Sequence, residues 1–208
     1  MGVNMLGFCI SDEEVCAKAA MDEVIRRYYY ALCNLAQKGD NENEVNKLSL
    51  IMKQAKLTTA HRRTTVAANE RKDREGVPCS AIELQDGTII TASTSALLGP
   101  SAALLLNAAK YLANIPHDIK LIPENMIAPI QKTKVGLLHG NNPRLHTDEV
   151  LVALSMLSIT DDNCRMALEQ LPKLRGCQVH CTVMLSDVDR KIFKKLGIGL
   201  TCDPVEKE

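Results

Sequence analysis

Tryptophan is absent from this chain of 208 residues, and only two Phe and four Tyr accompany that gap. A core without large aromatics must be packed from Leu, Ile, Val, Ala and Met, a mixture that favours helices over an aromatic-rich sandwich. Charge of one sign is lacking too: 25 Lys and Arg stand against 25 Asp and Glu. No global field therefore recruits nucleic acid or an anionic membrane, and the scarcity of aromatics removes stacking platforms for single strands. Nucleic-acid binding ranks last among the functions considered. No run of 18 apolar residues exists, so no transmembrane span is expected. The start, Met1-Gly2-Val3-Asn4-Met5, has neither the basic residues nor the apolar stretch of a secretory signal, which leads us to expect a cytoplasmic protein.

What the chain does have is 46% hydrophobic residues, enough for a sizeable core, and eight cysteines. Cys9, Cys16, Cys33, Cys79, Cys164, Cys177, Cys181 and Cys202 are scattered, and none forms C-x-x-C. In a reducing compartment such residues serve as small buried hydrophobes, so no disulfide framework is expected. Metal binding is not expected either. On a strand Cys177 and Cys181 share a face but lie about 13 Å apart, while His180 points the other way.

The pattern along the chain is helix-rich α/β: an N-terminal helical pair, then an α/β body with a small mixed sheet. Ser11-Asp12-Glu13-Glu14 has the form of a capping box. Beyond it Met21, Ile25, Tyr28, Leu32 and Leu35 make one helical stripe, which Gly39 ends. A second helix points Val45, Leu48, Ile51, Met52 and Ala55 inward. The polar stretch from Thr58 to Gly76 reads as an exposed loop and helix, giving a helical segment over 1–76 and an α/β body over 77–208.

Within the body, Ala81–Leu84 and Thr88–Thr91 flank Asp86-Gly87, a strong hairpin signal. Gly99-Pro100 opens a central helix over Ser101–Ala113, and Asp118–Ile122 reads as a short strand. Pro123-Glu124 opens a helix that Pro129 interrupts or restarts. Thr147 caps the helix Asp148–Ser158, and Thr160-Asp161-Asp162 caps another. A strand at Gln178–Leu185, a helix Val188–Leu196 capped by Ser186-Asp187, and a strand at Ile198–Cys202 complete the reading.

Several runs resemble a known family. Gly2-Val3-Asn4-Met5, Ile25-Arg26-Arg27-Tyr28-Tyr29, the run Asn142-Pro143-Arg144-Leu145-His146-Thr147-Asp148-Glu149-Val150 and the segment from Leu168 to Cys177 are similar to the bacterial family called domain of unknown function 1846. Lys194-Lys195-Leu196-Gly197 and Leu200-Thr201-Cys202-Asp203-Pro204 continue the match. The resemblance implies members about twice this long, with this chain corresponding to their second half. It also implies a nucleotide-binding, P-loop-like first half as a partner region. This chain holds no G-x-x-x-x-G-K-[ST] of its own. Where the family more often has a hydroxyl residue, this chain has Cys181. The family brings no established reaction, and the resemblance names no cofactor for this chain.

Two loops carry the chemistry. Ser93-Thr94-Ser95-Ala96-Leu97-Leu98-Gly99-Pro100-Ser101 is hydroxyl-rich and feeds a helix N-terminus, where free N–H groups and hydroxyls bind anions; ordinary capping is the plainer reading. In the second loop Asn142 and Arg144 offer polar groups to a carboxylate or phosphate, and His146 is an acid–base group that Asp148 or Glu149 could orient. The plainer reading is a loop tied down by Asn142 and Arg144. The expected site therefore has His146 and Asp148 as catalytic residues and Thr94, Ser95, Ser101, Asn142 and Arg144 as ligand-binding residues. An enzyme domain acting on a phosphorylated or carboxylated small molecule is the first expectation. A non-catalytic assembly domain that supports a separate nucleotide-binding half is the second, and a homo-oligomer, most simply a two-fold dimer joined along the Ser11–Gln37 helix, is expected.

Overall fold

The computed structural model describes residues 12–39 and 42–205. They divide into two compact units, with the boundary between Arg62 and Arg63.

The first unit holds helices α1 (Glu13–Lys38) and α2 (Glu42–Gln54) and a 3₁₀ turn at Thr59–His61. The Asp12 carboxylate caps α1 by accepting the Val15 N–H at 3.0 Å, while Ser11 lies outside the described residues. Gly39, at φ 64°, ends α1 by donating to the Leu35 carbonyl. The unit's core joins Ile25 and Tyr29 of α1 to Met52 of α2 and to Leu57, with Val24, Tyr28 and Leu32 packed against it. The buried face is thus turned from the expected stripe, since Tyr29 and Ala31 are buried and Met21 is exposed. On α2, Leu48 and Met52 are buried but Ile51 is exposed.

The second unit opens with α3 (Arg63–Glu75), and the division at Arg62 differs from the expected one at 76/77. This helix looks polar, yet Thr64, Thr65 and Ala68 are buried, because it packs against the sheet rather than bridging through solvent. The sheet has the order β2-β1-β3-β4, built from β1 (Cys79–Glu83), β2 (Ile89–Ser93), β3 (Gln178–Cys181) and β4 (Gly199–Cys202). β1 pairs antiparallel with both β2 and β3, and β3 runs parallel to β4. The mixed sheet and helix-rich α/β architecture stand as read. The hairpin register sets Ile82 opposite Ile90, with Gly87 at φ 81° as an L side chain would rarely tolerate. Consecutive residues Cys79 to Ile82 are all buried, so this strand is covered on both faces.

Around the sheet lie α4 (Pro100–Leu112), α5 (Glu124–Gln131) continuing into a π-helical segment (Lys132–Leu137), α6 (Thr147–Leu157), α7 (Asp162–Gln170) and α8 (Asp187–Leu196). Residues 118–122 form no strand. The Lys110 ammonium of α4 donates to the carbonyls of His117 (2.6 Å) and Ile119, so a side chain takes the place of a neighbouring strand. Burial pushes the Lys110 ammonium below its ordinary value, partly offset by Asp118. Pro129 sits inside α5 without ending it. The strand expected over Gln178–Leu185 stops at Cys181.

Of the described thiols, Cys16 is exposed, while Cys79, Cys164 and Cys177 are buried. Burial, reinforced by Asp161, pushes the Cys164 thiol up to about 11. Among the described residues no helix is long and apolar enough to cross a membrane.

Candidate functional site

The two loops singled out in the sequence meet in the second unit. Leu98 and Leu145 form an isolated parallel bridge, in which Leu145 N–H donates to the Leu97 carbonyl (2.9 Å) and Gly99 N–H to the Leu145 carbonyl (3.2 Å). The Arg144 Nε–H adds a bond to the Ser95 carbonyl at 2.8 Å. Arg144 is itself held at its backbone, since its N–H donates to Asn142 Oδ1 at 3.0 Å.

The joined loops form part of a cavity of about 390 Å³, within the small-molecule range. Its polar lining residues are Lys72, Thr94, Asn142, Arg144 and His146, and Val77, Pro78, Leu145, Val183 and Val205 form its apolar side. Among the described residues no Asp or Glu lines it. Gly99 and Pro100 also line it, so the first turn of α4 presents the positive end of its helix dipole there.

Of the expected site residues, Thr94, Asn142, Arg144 and His146 line the cavity, and Ser95, Ser101 and Asp148 do not. The Ser95 hydroxyl oxygen accepts the Leu97 and Leu98 N–H groups as a local turn cap. Ser101 is buried. The Thr94 hydroxyl donates to the Leu98 carbonyl at 3.3 Å, so its proton is committed within the loop. Asp148 Oδ1 is buried with no hydrogen-bond partner among the described residues.

The carboxylate on the His146 ring is Asp189 of α8, neither Asp148 nor Glu149. Asp189 Oδ2 lies 3.1 Å from His146 Nδ1 and accepts the Ser186 hydroxyl at 2.7 Å. Its Oδ1 accepts the Thr147 N–H (2.9 Å) and the Thr147 hydroxyl (2.8 Å). Asp189 is fully buried, and burial alone would raise its pKa. The hydrogen bonds from His146, the Thr147 N–H, Ser186 and the Thr147 hydroxyl outweigh that effect and hold it far below the carboxylate range. A carboxylate offers only lone pairs, so the proton of this contact sits on the His146 Nδ1.

Glu149 does different work. Its Oε2 accepts the His146 N–H at 2.7 Å and pairs with the Lys134 ammonium at 2.8 Å. Lys134, on the π-helical segment, also donates to the Arg144 carbonyl at 2.9 Å. Lys134 and Glu149 therefore fix the backbone on either side of Leu145, which sets Arg144 and His146 toward one space.

Sequence reading passed over Lys72 and Asp189. Asp189 carried a signal: Ser186-x-x-Asp189 has the spacing of a helix cap, and the Ser186 hydroxyl does accept the Asp189 N–H at 3.2 Å. The same acid faces His146, 43 residues away in sequence, and no local pattern announces that.

Comparison with known proteins identifies the family. Residues 60–208 match the C-terminal model of the domain of unknown function DUF1846, and residues 1–56 match its N-terminal model. The chain belongs to this family. The expectation that it corresponds only to the second half is corrected at the front. The helical pair, a unit with its own core, falls in the N-terminal model, and the gap between the models lies beside the division at Arg62. A UPF0371 protein of Corynebacterium urealyticum is 49% identical over 204 residues, 98% of this chain and 41% of that protein. Another, from Streptococcus pyogenes serotype M3, is 40% identical over 205 residues, 99% of this chain and 42% of its own length. The chain thus spans well under half the length of these relatives.

Proposed function

We propose that the second unit is an enzyme domain in which His146 transfers a proton to or from a small anionic molecule held by Arg144. One observation carries this reading: His146 contacts the buried Asp189 carboxylate and lines a cavity with cationic but, among the described residues, no acidic lining. An imidazole whose Nδ1–H is fixed on a carboxylate presents Nε2 as a base. The imidazolium formed when Nε2 takes a proton from a ligand or water is stabilised by the same carboxylate. Arg144, anchored through Nε on Ser95, keeps its terminal nitrogens for an oxyanion.

Nitrogen-15 spectra of the full chain test both parts. The neutral His146 ring is expected in the Nδ1–H tautomer, and its signals are expected to move on titration with at least one of phosphate, pyrophosphate, acetate or succinate. In Arg144→Gln that movement is lost. A ring protonated at Nε2, or one that none of these anions perturbs at millimolar concentration, overturns the reading.

Assembly is the second reading, and one observation favours it: Val152, Met156 and Ile159 recur at steps of four and three and are all exposed. In this reading copies of the chain associate along α6 as a two-fold dimer. Light scattering across a dilution series is expected to show a dimer that Met156→Glu dissociates. A monomer mass persisting at high micromolar concentration refutes it.

A further inference from the structure

We infer that Lys72 and Arg144 together form the anchor for a phosphoryl group, so that the ligand of this cavity is a phosphate monoester and not a carboxylate. This rests on the anion-binding reading above and names its substrate class.

The sequence around Lys72 is a basic run, Arg71-Lys72-Asp73-Arg74, of the kind a solvated helix end explains. The structure separates its members. Arg71 is committed to the Glu75 carboxylate at 2.8 Å and to the Thr91 hydroxyl at 2.7 Å, and Arg74 lies 3.9 Å from Glu75. Lys72 makes no ion pair with a described residue, and it is the member of the run that lines the cavity. Glu75, three residues on along the helix, is paired with Arg71 at 2.8 Å, and the adjacent Asp73 does not line the cavity.

Two cationic residues, Lys72 and Arg144, thus line the cavity together with the positive end of α4, and no acid among the described residues lines it. A carboxylate brings a single negative charge and leaves one cation uncompensated. A phosphate monoester brings about −1.5 to −2 at neutral pH and three acceptor oxygens, matching both. The geometry suits a division of labour in which Arg144 offers a planar fork with its Nε already fixed, and Lys72 supplies a compact point charge. The cavity's volume exceeds a bare oxyanion's needs, and Val183 and Val205 offer apolar surface to the organic part of an ester.

Isothermal titration of the full chain with phenyl phosphate and benzoate, which share a ring and differ in the anion, tests the inference. Phenyl phosphate is expected to bind about tenfold or more tightly than benzoate. Lys72→Gln is expected to weaken phenyl phosphate about tenfold and to leave benzoate nearly unchanged. Arg144→Gln weakens both, and Arg144→Lys, which keeps the charge but not the fork, falls between. Melting curves of each variant confirm that it is folded. Equal binding of the two ligands, or phenyl phosphate affinity unmoved by Lys72→Gln, overturns the phosphoryl anchor while leaving the anion site intact. Binding of neither ligand, with the His146 ring signals unmoved, removes both readings.

Discussion

Asp189→Ala is expected to destabilise the protein by about 3–5 kcal/mol, the range for removing one partner from a buried charged network. The carboxylate is fully buried and accepts from His146, Ser186, and both the N–H and the hydroxyl of Thr147. Its loss strands those donors away from water. Asp189→Asn keeps the shape but turns one oxygen into a donor that faces other donors, so an intermediate loss is expected. Urea unfolding followed by far-UV circular dichroism is the measurement, since the chain has no Trp to report by fluorescence. Acidity supplies an independent check. The folded-state pKa of Asp189 lies below its ordinary 3.8, so its stabilisation is present above that value and is lost as pH falls below it. The gap between wild type and Asp189→Asn should therefore be full at neutral pH and close on acidification below about pH 4. A gap that is constant with pH, or an alanine variant within about 0.5 kcal/mol of wild type, would show that the network contributes little.

Phe193→Ala is expected to have an effect of similar size, about 3–5 kcal/mol, through loss of packing rather than charge. Phe193 is completely buried on α8, one helical turn after Asp189 and therefore on the same face. The helix packs against α6 and β4, so its buried face, where Phe193 lies, is where that packing is made. In a chain with so few aromatics, Leu, Ile and Val neighbours have little freedom to close the cavity left behind. Val188 on the same helix is largely exposed and is the control: Val188→Ala should change stability by no more than about 0.5 kcal/mol. The two alanine variants are also distinguishable by pH. The Phe193→Ala deficit carries no lost carboxylate and should persist on acidification, whereas the Asp189 deficit should fade. Equal losses in Phe193→Ala and Val188→Ala would refute the assignment of the buried face.

How much of this was legible in the sequence follows the range of the interactions involved. Asp12, Asp161 and Ser186 cap helices, Gly39 and Gly197 end them, and Asp86-Gly87 turns a hairpin; each is settled by groups within a few residues. The sequence alone therefore determined the helix-rich α/β class, the mixed sheet and most element boundaries. It also marked Thr94, Asn142, Arg144 and His146, because loops leading into helix N-termini have a recognisable composition.

The tertiary structure alone decided the rest. Residues 118–122 carry an acceptable strand pattern, but the Lys110 ammonium takes the Ile119 carbonyl and that of His117 just before it, and strand formation depends on a partner that a local pattern cannot supply. The polar helix α3 is part-buried because it covers a sheet whose strands come both directly after it and from the far end of the chain, Gln178–Cys181 among them. Asp189 lies across the fold from His146, and Lys72 reaches the Arg144 loop only through the packing of α3. Local turn chemistry is written in neighbouring residues, whereas a cavity lined from α3, the Thr94 loop and the Arg144 loop, with Asp189 of α8 behind His146, exists only once long-range packing has brought them together.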